Sequence, residues 1–246
     1  MMDKIFFELY SEIPRQGPGS RESTLRALSA MQIPEHASLI DLGCGTGFQA
    51  MVLAENTRAN IIAVDMHAPY IEELNKKITE AGYSGRVKAV KGDMGNLEYK
   101  ENSFDVIWCE AAIYNIGFEH GLKYLKKFLK KGGFFAVSEL AWIKDNPPQE
   151  LFEFWKKEYP QIKEKYKNEN TIIQLGYDIL DQFILPESDW RQYYDPLIAR
   201  AKRMLEKYKD DERAIAVINE AIREYEIYVR FSDYYGYVFY VLKLSG

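Results

Sequence analysis

The chain has 246 residues, 47% of them hydrophobic, which suits one large α/β domain with a sizeable core. A net charge of −5 argues against DNA or RNA as the principal partner, and no run of uncharged apolar residues is long enough for a membrane span. The first residues, MMDKIFFELYSEI, lack a basic segment followed by an apolar one, and the two cysteines sit in apolar surroundings, which predicts a cytoplasmic protein with reduced thiols. Eighteen tyrosines raise the aromatic content to 14%, material either for a packed core or for an aromatic cavity.

Residues 3–12 read as a short amphipathic helix with Ile5, Phe6, Leu9 and Ile13 on one side, ended by Pro14. The loop Arg15-Gln16-Gly17-Pro18-Gly19-Ser20 follows, and Ser20 caps a helix carrying Leu25, Leu28 and Met31. Ser38–Gly47, SLIDLGCGTG, is an apolar run holding one acid, Asp41, that breaks into Gly43, Gly45 and Gly47. Helical spacing resumes through Ala50, Met51 and Leu53, so the segment reads as buried strand, glycine turn, helix. Asn60–Asp65 is a second buried strand ending in an acid, and Pro69 and Gly82 bracket the next helix. Residues 86–91 alternate as a third strand running into Gly92-Asp93-Met94, and 103–110 form a fourth strand ending at Glu110.

Leu122, Leu125, Phe128 and Leu129 mark a helix stopped by Gly132-Gly133, and Phe134–Leu140 is the fifth strand. A lysine-, glutamate- and aromatic-rich stretch from Pro147 to about Thr171 reads as a helical insertion. A helix over Thr171–Gln182, a short strand at Phe183–Leu185 and two long helices then lead to a last strand, Tyr234–Leu244. Strands alternating with helices predict an α/β fold: a Rossmann-like, doubly wound, mainly parallel sheet of about seven strands.

The glycine order decides between nucleotide sites. A dinucleotide fingerprint is G-x-G-x-x-G, whereas here the order is G-x-G-x-G, with Phe48 where its third glycine would stand. An acid directly before the loop suits a ligand that carries positive charge. The stretch resembles motif I of the class I S-adenosylmethionine-dependent methyltransferases, D-x-G-x-G-x-G, and the resemblance extends to Asp65, to Asp93 and to the F-D-V-I core of the fourth strand. The layout is loosely similar to the ubiquinone/menaquinone C-methyltransferases.

That resemblance implies S-adenosyl-L-methionine as cofactor, a last strand antiparallel to the rest, and a set of site residues. Asp65 would accept bonds from the ribose hydroxyls, with Met66 on the adenine face. Asp93 and Met94 would meet the adenine; Asp41, Gly43, Cys44 and Gly45 would face the ligand from the loop. Gln16 and Gly17 would belong to a lid over the methionine end, and Glu110 would either face the cofactor or take a proton from substrate. It also implies a single domain over 1–246, with lid helices in 1–35, a cofactor core in 36–143, a helical cap in 144–175 and completing strands and helices in 176–246.

Methyl transfer from a sulfonium needs chiefly alignment, so no catalytic motif is obligatory and no base can be named; neither His67 nor His120 stands out on its loop. No metal-ligand pattern is present in the sequence. The expected activity is methylation of a small-molecule acceptor, aromatic or quinol-like, with Tyr193 and Tyr194 as candidate lining. A non-catalytic protein of the same fold and a nicotinamide oxidoreductase are the alternatives, and the chain is compatible with a homodimer.

Overall fold

The computed structural model describes residues 4–245. Two helices, α1 (Lys4–Tyr10) and α2 (Arg21–Ser29), precede the sheet. The expected first helix is shorter than residues 3–12, and residue 3 lies outside the described residues. Ser20 caps α2 as expected, its hydroxyl accepting the Ser23 N–H at 3.1 Å.

The doubly wound core follows in order: β1 (Ser38–Leu42), α3 (Phe48–Asn56), β2 (Asn60–Asp65), α4 (Ala68–Glu80), β3 (Val87–Lys91), β4 (Phe104–Cys109), α5 (Phe118–Leu125) and β5 (Leu129–Trp142). The segment after β5 comprises α6 (Gln149–Glu158), a two-residue strand β6 (Lys163–Glu164) and α7 (Lys165–Gln174). The chain closes with β7 (Tyr177–Ile184), α8 (Glu187–Lys207), α9 (Glu212–Phe231) and β8 (Tyr235–Leu244). The strands lie in the order β3-β2-β1-β4-β5-β8-β7, with β6 paired to β5. β8 runs antiparallel to both its neighbours, and the rest of the central sheet is parallel.

From Gly133 onward β5 is buried on both faces, and so Phe134–Trp142 reads as a mostly apolar run. Phe134 and Ala136 face one core layer with Leu53 and Leu74, while Phe135 and Val137 face the other with Leu122, Leu125 and Ile172. A third cluster joins α1, α6, α8 and α9 through Leu9, Trp155, Trp190, Tyr194 and Tyr228. No helix among the described residues is long and apolar enough to cross a membrane.

Two local expectations need correction. The segment placed as a helix over Thr171–Gln182 is split: α7 ends at Gln174, and the remainder opens β7, which runs through to Ile184. β5 begins at Leu129, so Phe128 and Leu129 are not part of α5. Gly132, at φ 71°, sits in an irregularity where Phe104 pairs with Leu129 but Val106 already pairs with Phe134. There the glycine pair lets the strand bulge rather than stopping a helix.

Candidate functional site

The site lies where the strand order reverses between β1 and β4, at the carboxyl ends of the parallel strands. β1 delivers Gly43, whose N–H donates to Val64 O at 2.9 Å, and the Cys44 N–H donates to the same oxygen at 3.0 Å. These two bonds pin the turn to the end of β2. Gly43 has φ 69°, and a Cβ there would run into Ala112 Cβ; at Gly47, φ 88°, a Cβ would run into the Leu74 side chain. Glycine is the residue that lets the turn between β1 and α3 approach α4 and the loop after β4 this closely.

Below the turn, Asp41 is fully buried. Gln49 Nε2 donates to its Oδ1 at 3.3 Å, while Oδ2 has no partner among the described residues. Burial, followed by the charge of Glu110, pushes the Asp41 carboxyl well above the usual range. Asp65 ends β2 with Oδ2 accepting the Gly45 N–H at 2.9 Å and Oδ1 accepting the His67 N–H at 2.9 Å. Asp93 accepts the Gly95 N–H at 2.7 Å in a turn. Met94 is buried against Ala112, whereas Met66 stands 66% exposed.

The N-terminal loop closes over this turn. Gln16 Oε1 accepts the Thr46 N–H at 3.0 Å, and its Nε2 reaches the carbonyls of Tyr10 and Ile13. Arg15, 5% exposed, donates from Nη2 to Glu110 Oε2 at 2.6 Å and lies over the Phe48 ring. Glu110 Oε1 accepts from Thr24 Oγ1 at 2.7 Å and Trp108 Nε1 at 2.9 Å. Glu110 is therefore the anchor that ties the N-terminal segment to β4, with both oxygens engaged by protein donors. Arg15, Thr24 and Trp108, which hold that anchor, were not identifiable as a set because they come from three separate parts of the chain.

Arg15, Gln16 and Gly17 thus enclose a crevice of about 50 Å³ with Gly43, Cys44 and Gly45. Two opposite groups near it lack partners among the described residues: Arg15 Nη1, a cationic donor, and Asp41 Oδ2, a buried acceptor. Thr46 Oγ1 is also unpartnered. This donor and acceptor set matches the carboxylate and ammonium of an amino-acid end group, as the G-x-G-x-G cofactor requires. The expected residues Gln16, Gly17, Gly43, Cys44, Gly45 and Glu110 do come together here. The Cys44 N–H, however, is already used by Val64, and its thiol is buried.

Beyond Glu110 the backbone turns through Ala111 at φ 49°, a left-handed conformation rare for a side chain with Cβ. Its N–H donates to Ser138 Oγ at 2.8 Å. β4 and β5 last pair at Cys109 and Val137; two residues further along stand Ala111 and Glu139. Glu139, 2% exposed, was missed, although it is the one acid in the apolar run FFAVSEL. Tyr159 donates to its Oε1 at 2.5 Å, and Oε2 is unpartnered among the described residues. Burial raises its pKa to about 8, against opposing pulls from the Tyr159 bond and the Lys163 charge.

Tyr114 stands 43% exposed beside this pair, its ring edge-on to Tyr159 at 6.1 Å, and it interacts electrostatically with Glu139 and Glu224. Tyr193 and Tyr194 are instead buried within the α1–α8–α9 cluster, Tyr194 donating to Glu224 at 2.9 Å. Of the histidines, His67 stacks on Phe7 at 3.7 Å and His120 lies on α5.

A Rossmann-like sheet with an antiparallel β8, a glycine turn bonded by the N-terminal loop and an acid ending β2 are the features of a class I S-adenosylmethionine-dependent methyltransferase. The chain belongs to the methyltransferase domain family, which it matches over residues 33–207. It is 28% identical over 181 residues to the sterol 24-C-methyltransferase of Kluyveromyces lactis, covering 69% of this chain and 48% of that one. The chain thus spans about half the length of that curated relative. Among solved structures, a methyltransferase from Geobacter sulfurreducens in complex with S-adenosyl-L-homocysteine superposes with a TM-score of 0.85 at 21% identity, covering 98% of both chains. YjhP from E. coli superposes at 0.86 and 22% identity over 98% of this chain and 99% of that one.

Proposed function

We propose that the protein transfers the methyl group of S-adenosylmethionine to a hydroxyl-bearing aromatic or quinol-like small molecule held between Tyr114 and Glu139. The observation that carries this reading is Glu139 Oε2, a buried, unpartnered carboxyl oxygen two residues past the last β4–β5 pair. When bound, S-adenosylmethionine supplies an electrophilic methyl carbon on a sulfonium. Asp65 would hold its ribose, Asp93 with Met94 and Met66 its adenine, and Arg15 Nη1 with Asp41 its amino-acid end. Gln16 and Gly17 would cover the methionine portion.

The remaining work falls to this chain's own side chains. The exposed Tyr114 ring offers a stacking face for a flat acceptor. Glu139, once ionised, accepts the hydroxyl proton at Oε2 while Tyr159 holds the other oxygen in place. A carboxyl with a pKa of about 8 is closer to neutral pH, and so better matched to this task, than an ordinary one. Closure of the lid keeps water from the reacting atoms.

The test is a screen with isotopically labelled S-adenosylmethionine against phenols, quinols and primary amines, followed by Glu139→Gln with the best acceptor. Methylation of phenols or quinols, lowered at least about a hundredfold by the substitution, is the expected result. Methylation confined to amines would overturn the reading.

A further inference from the structure

Tyr114 leaves 43% of its surface exposed, yet burial is the main influence on its hydroxyl. The charge of Glu224 on α9 acts on it next, and that of Glu139 on β5 more weakly. Tyr114 in turn acts on the hydroxyls of Tyr10 in α1, Tyr193 in α8 and Tyr237 in β8. Tyr237 and Glu224 show the same pairing of partial exposure with a pKa raised by burial. Side chains that keep open surface while shielded from bulk water face an enclosed space. These surround one, with a buried acid on either side of Tyr114.

We propose that this chamber selects acceptors that carry a protonated amine at the end remote from the methylated hydroxyl, and that Glu224 binds it. That one molecule reaches from Glu139 to Glu224 rests on the acceptor reading above; that Glu224 takes an organic cation does not.

Glu224 is an acid without a cation. Its Oε1 accepts from the Tyr194 hydroxyl at 2.9 Å, the one hydrogen bond to its carboxyl among the described residues. Burial raises its pKa, Tyr194 opposes that, and the further charge acting on it, Glu158, is again negative. A desolvated carboxyl in such a field gains most from a partner that brings positive charge. The two acids are not equivalent, since Glu139 has the charge of Lys163 acting on it and Glu224 has no lysine or arginine among the described residues. The cationic end of a ligand therefore belongs at Glu224.

The aromatic walls point the same way. The Tyr10 and Tyr193 rings stack at 6.4 Å, and their hydroxyls bond each other. Tyr193 also packs against Tyr194 at 4.8 Å. The hydroxyl hydrogens of this wall are thus engaged within the protein, while ring faces, which attract cations, remain for a ligand. At the other end Glu139 Oε2 is unpartnered among the described residues, a second acceptor for a molecule with a donor at each end.

Full-length protein saturated with S-adenosyl-L-homocysteine, titrated calorimetrically with two amines and their amine-free isosteres, tests this. The pairs are tyramine with 4-propylphenol and 4-hydroxybenzylamine with 4-ethylphenol. The better amine should bind at least about tenfold tighter than its isostere. Amines that bind no tighter than the alkylphenols, or do not bind, would overturn the proposal in the wild-type protein alone. Glu224→Gln keeps an oxygen for Tyr194 but removes the charge, so it should abolish the amine preference and leave alkylphenol binding unchanged. Thermal midpoints check that the variant folds, and a preference retained in folded Glu224→Gln would also overturn the assignment.

Glu139→Gln separates the two readings. It should keep the amine preference, and loss of the preference there would place the cation at the wrong acid. The titrations read binding without methyl transfer, so a failed phenol screen leaves them standing. Methylated phenols with no amine preference would sink the role of Glu224 alone.

Discussion

Replacing Glu139 by Gln isolates the energetic burden of a buried carboxyl, and needs no knowledge of the acceptor. Glutamine retains an oxygen for the Tyr159 hydroxyl at nearly the same shape but cannot ionise. In the folded protein the Glu139 pKa lies at about 8 against an ordinary 4.5. Between those values the folded chain keeps a proton that the unfolded chain has lost, so folding is most favoured at low pH and weakens as pH rises through the window. At 1.36 kcal/mol per pH unit the loss approaches 5 kcal/mol.

The groups facing Glu139 set how much of this is seen. Lys163 on β6 and the Tyr159 hydroxyl favour the ionised form, while Cys109, Tyr237 and Tyr240 interact with it from β4 and β8 and Tyr114 from the loop between β4 and α5. Urea unfolding of both proteins from about pH 5 to about pH 9 is the assay. The wild type should lose several kcal/mol more than Glu139→Gln over that range, with the curves converging at the acid end. Parallel stability curves would refute the reasoning, because they would show that Glu139 ionises in the fold as readily as in the unfolded chain.

Other substitutions probe the cofactor side. Asp65→Ala removes the acceptor that receives the Gly45 and His67 N–H groups, and calorimetry should show S-adenosylhomocysteine affinity reduced by at least about tenfold. Gly43→Ala must force a Cβ into Ala112 at φ 69°, so thermal unfolding should register a loss of about 1–3 kcal/mol together with weakened cofactor binding. Arg15→Ala leaves Glu110 buried beside Thr24 and Trp108 without its cation, with an expected cost of about 3–5 kcal/mol in urea unfolding. An Arg15→Ala protein as stable as the wild type would mean that the N-terminal loop is not fastened through Glu110.

The parts of the site that were legible in sequence are those whose chemistry is local. A glycine turn needs its glycines within a few residues, and the acid ending β2 follows at a fixed distance along one βαβ unit, so Gly43, Gly45 and Asp65 could be placed without a structure. The Arg15–Glu110 pair joins residues 95 apart, and nothing in either neighbourhood announces the other. Glu110 therefore looked like a group facing ligand when its oxygens are committed to the fold. β7 was misread for a different reason. It is an edge strand with a register shift between Ile179 and Asp181, which breaks the two-residue alternation, and its apolar residues then fall at intervals that a helix also produces. Glu139 was hidden by its setting, since a strand buried on both faces gives a lone acid no pattern to stand out from.

The Arg15–Glu110 fastening also sets a clock. A ligand beneath Gln16 and Gly17 whose exit requires the N-terminal loop to lift would first have a guanidinium drawn from a site where both ions are almost fully buried. An opening that costs about 3–5 kcal/mol is populated roughly one part in a hundred to one in several thousand. Release, rather than the displacement itself, is then the step expected to pace turnover, and the rate should respond to changes at residues 14–20 that touch no reacting atom. The same fastening would keep a bound methyl donor in place between encounters with a second substrate.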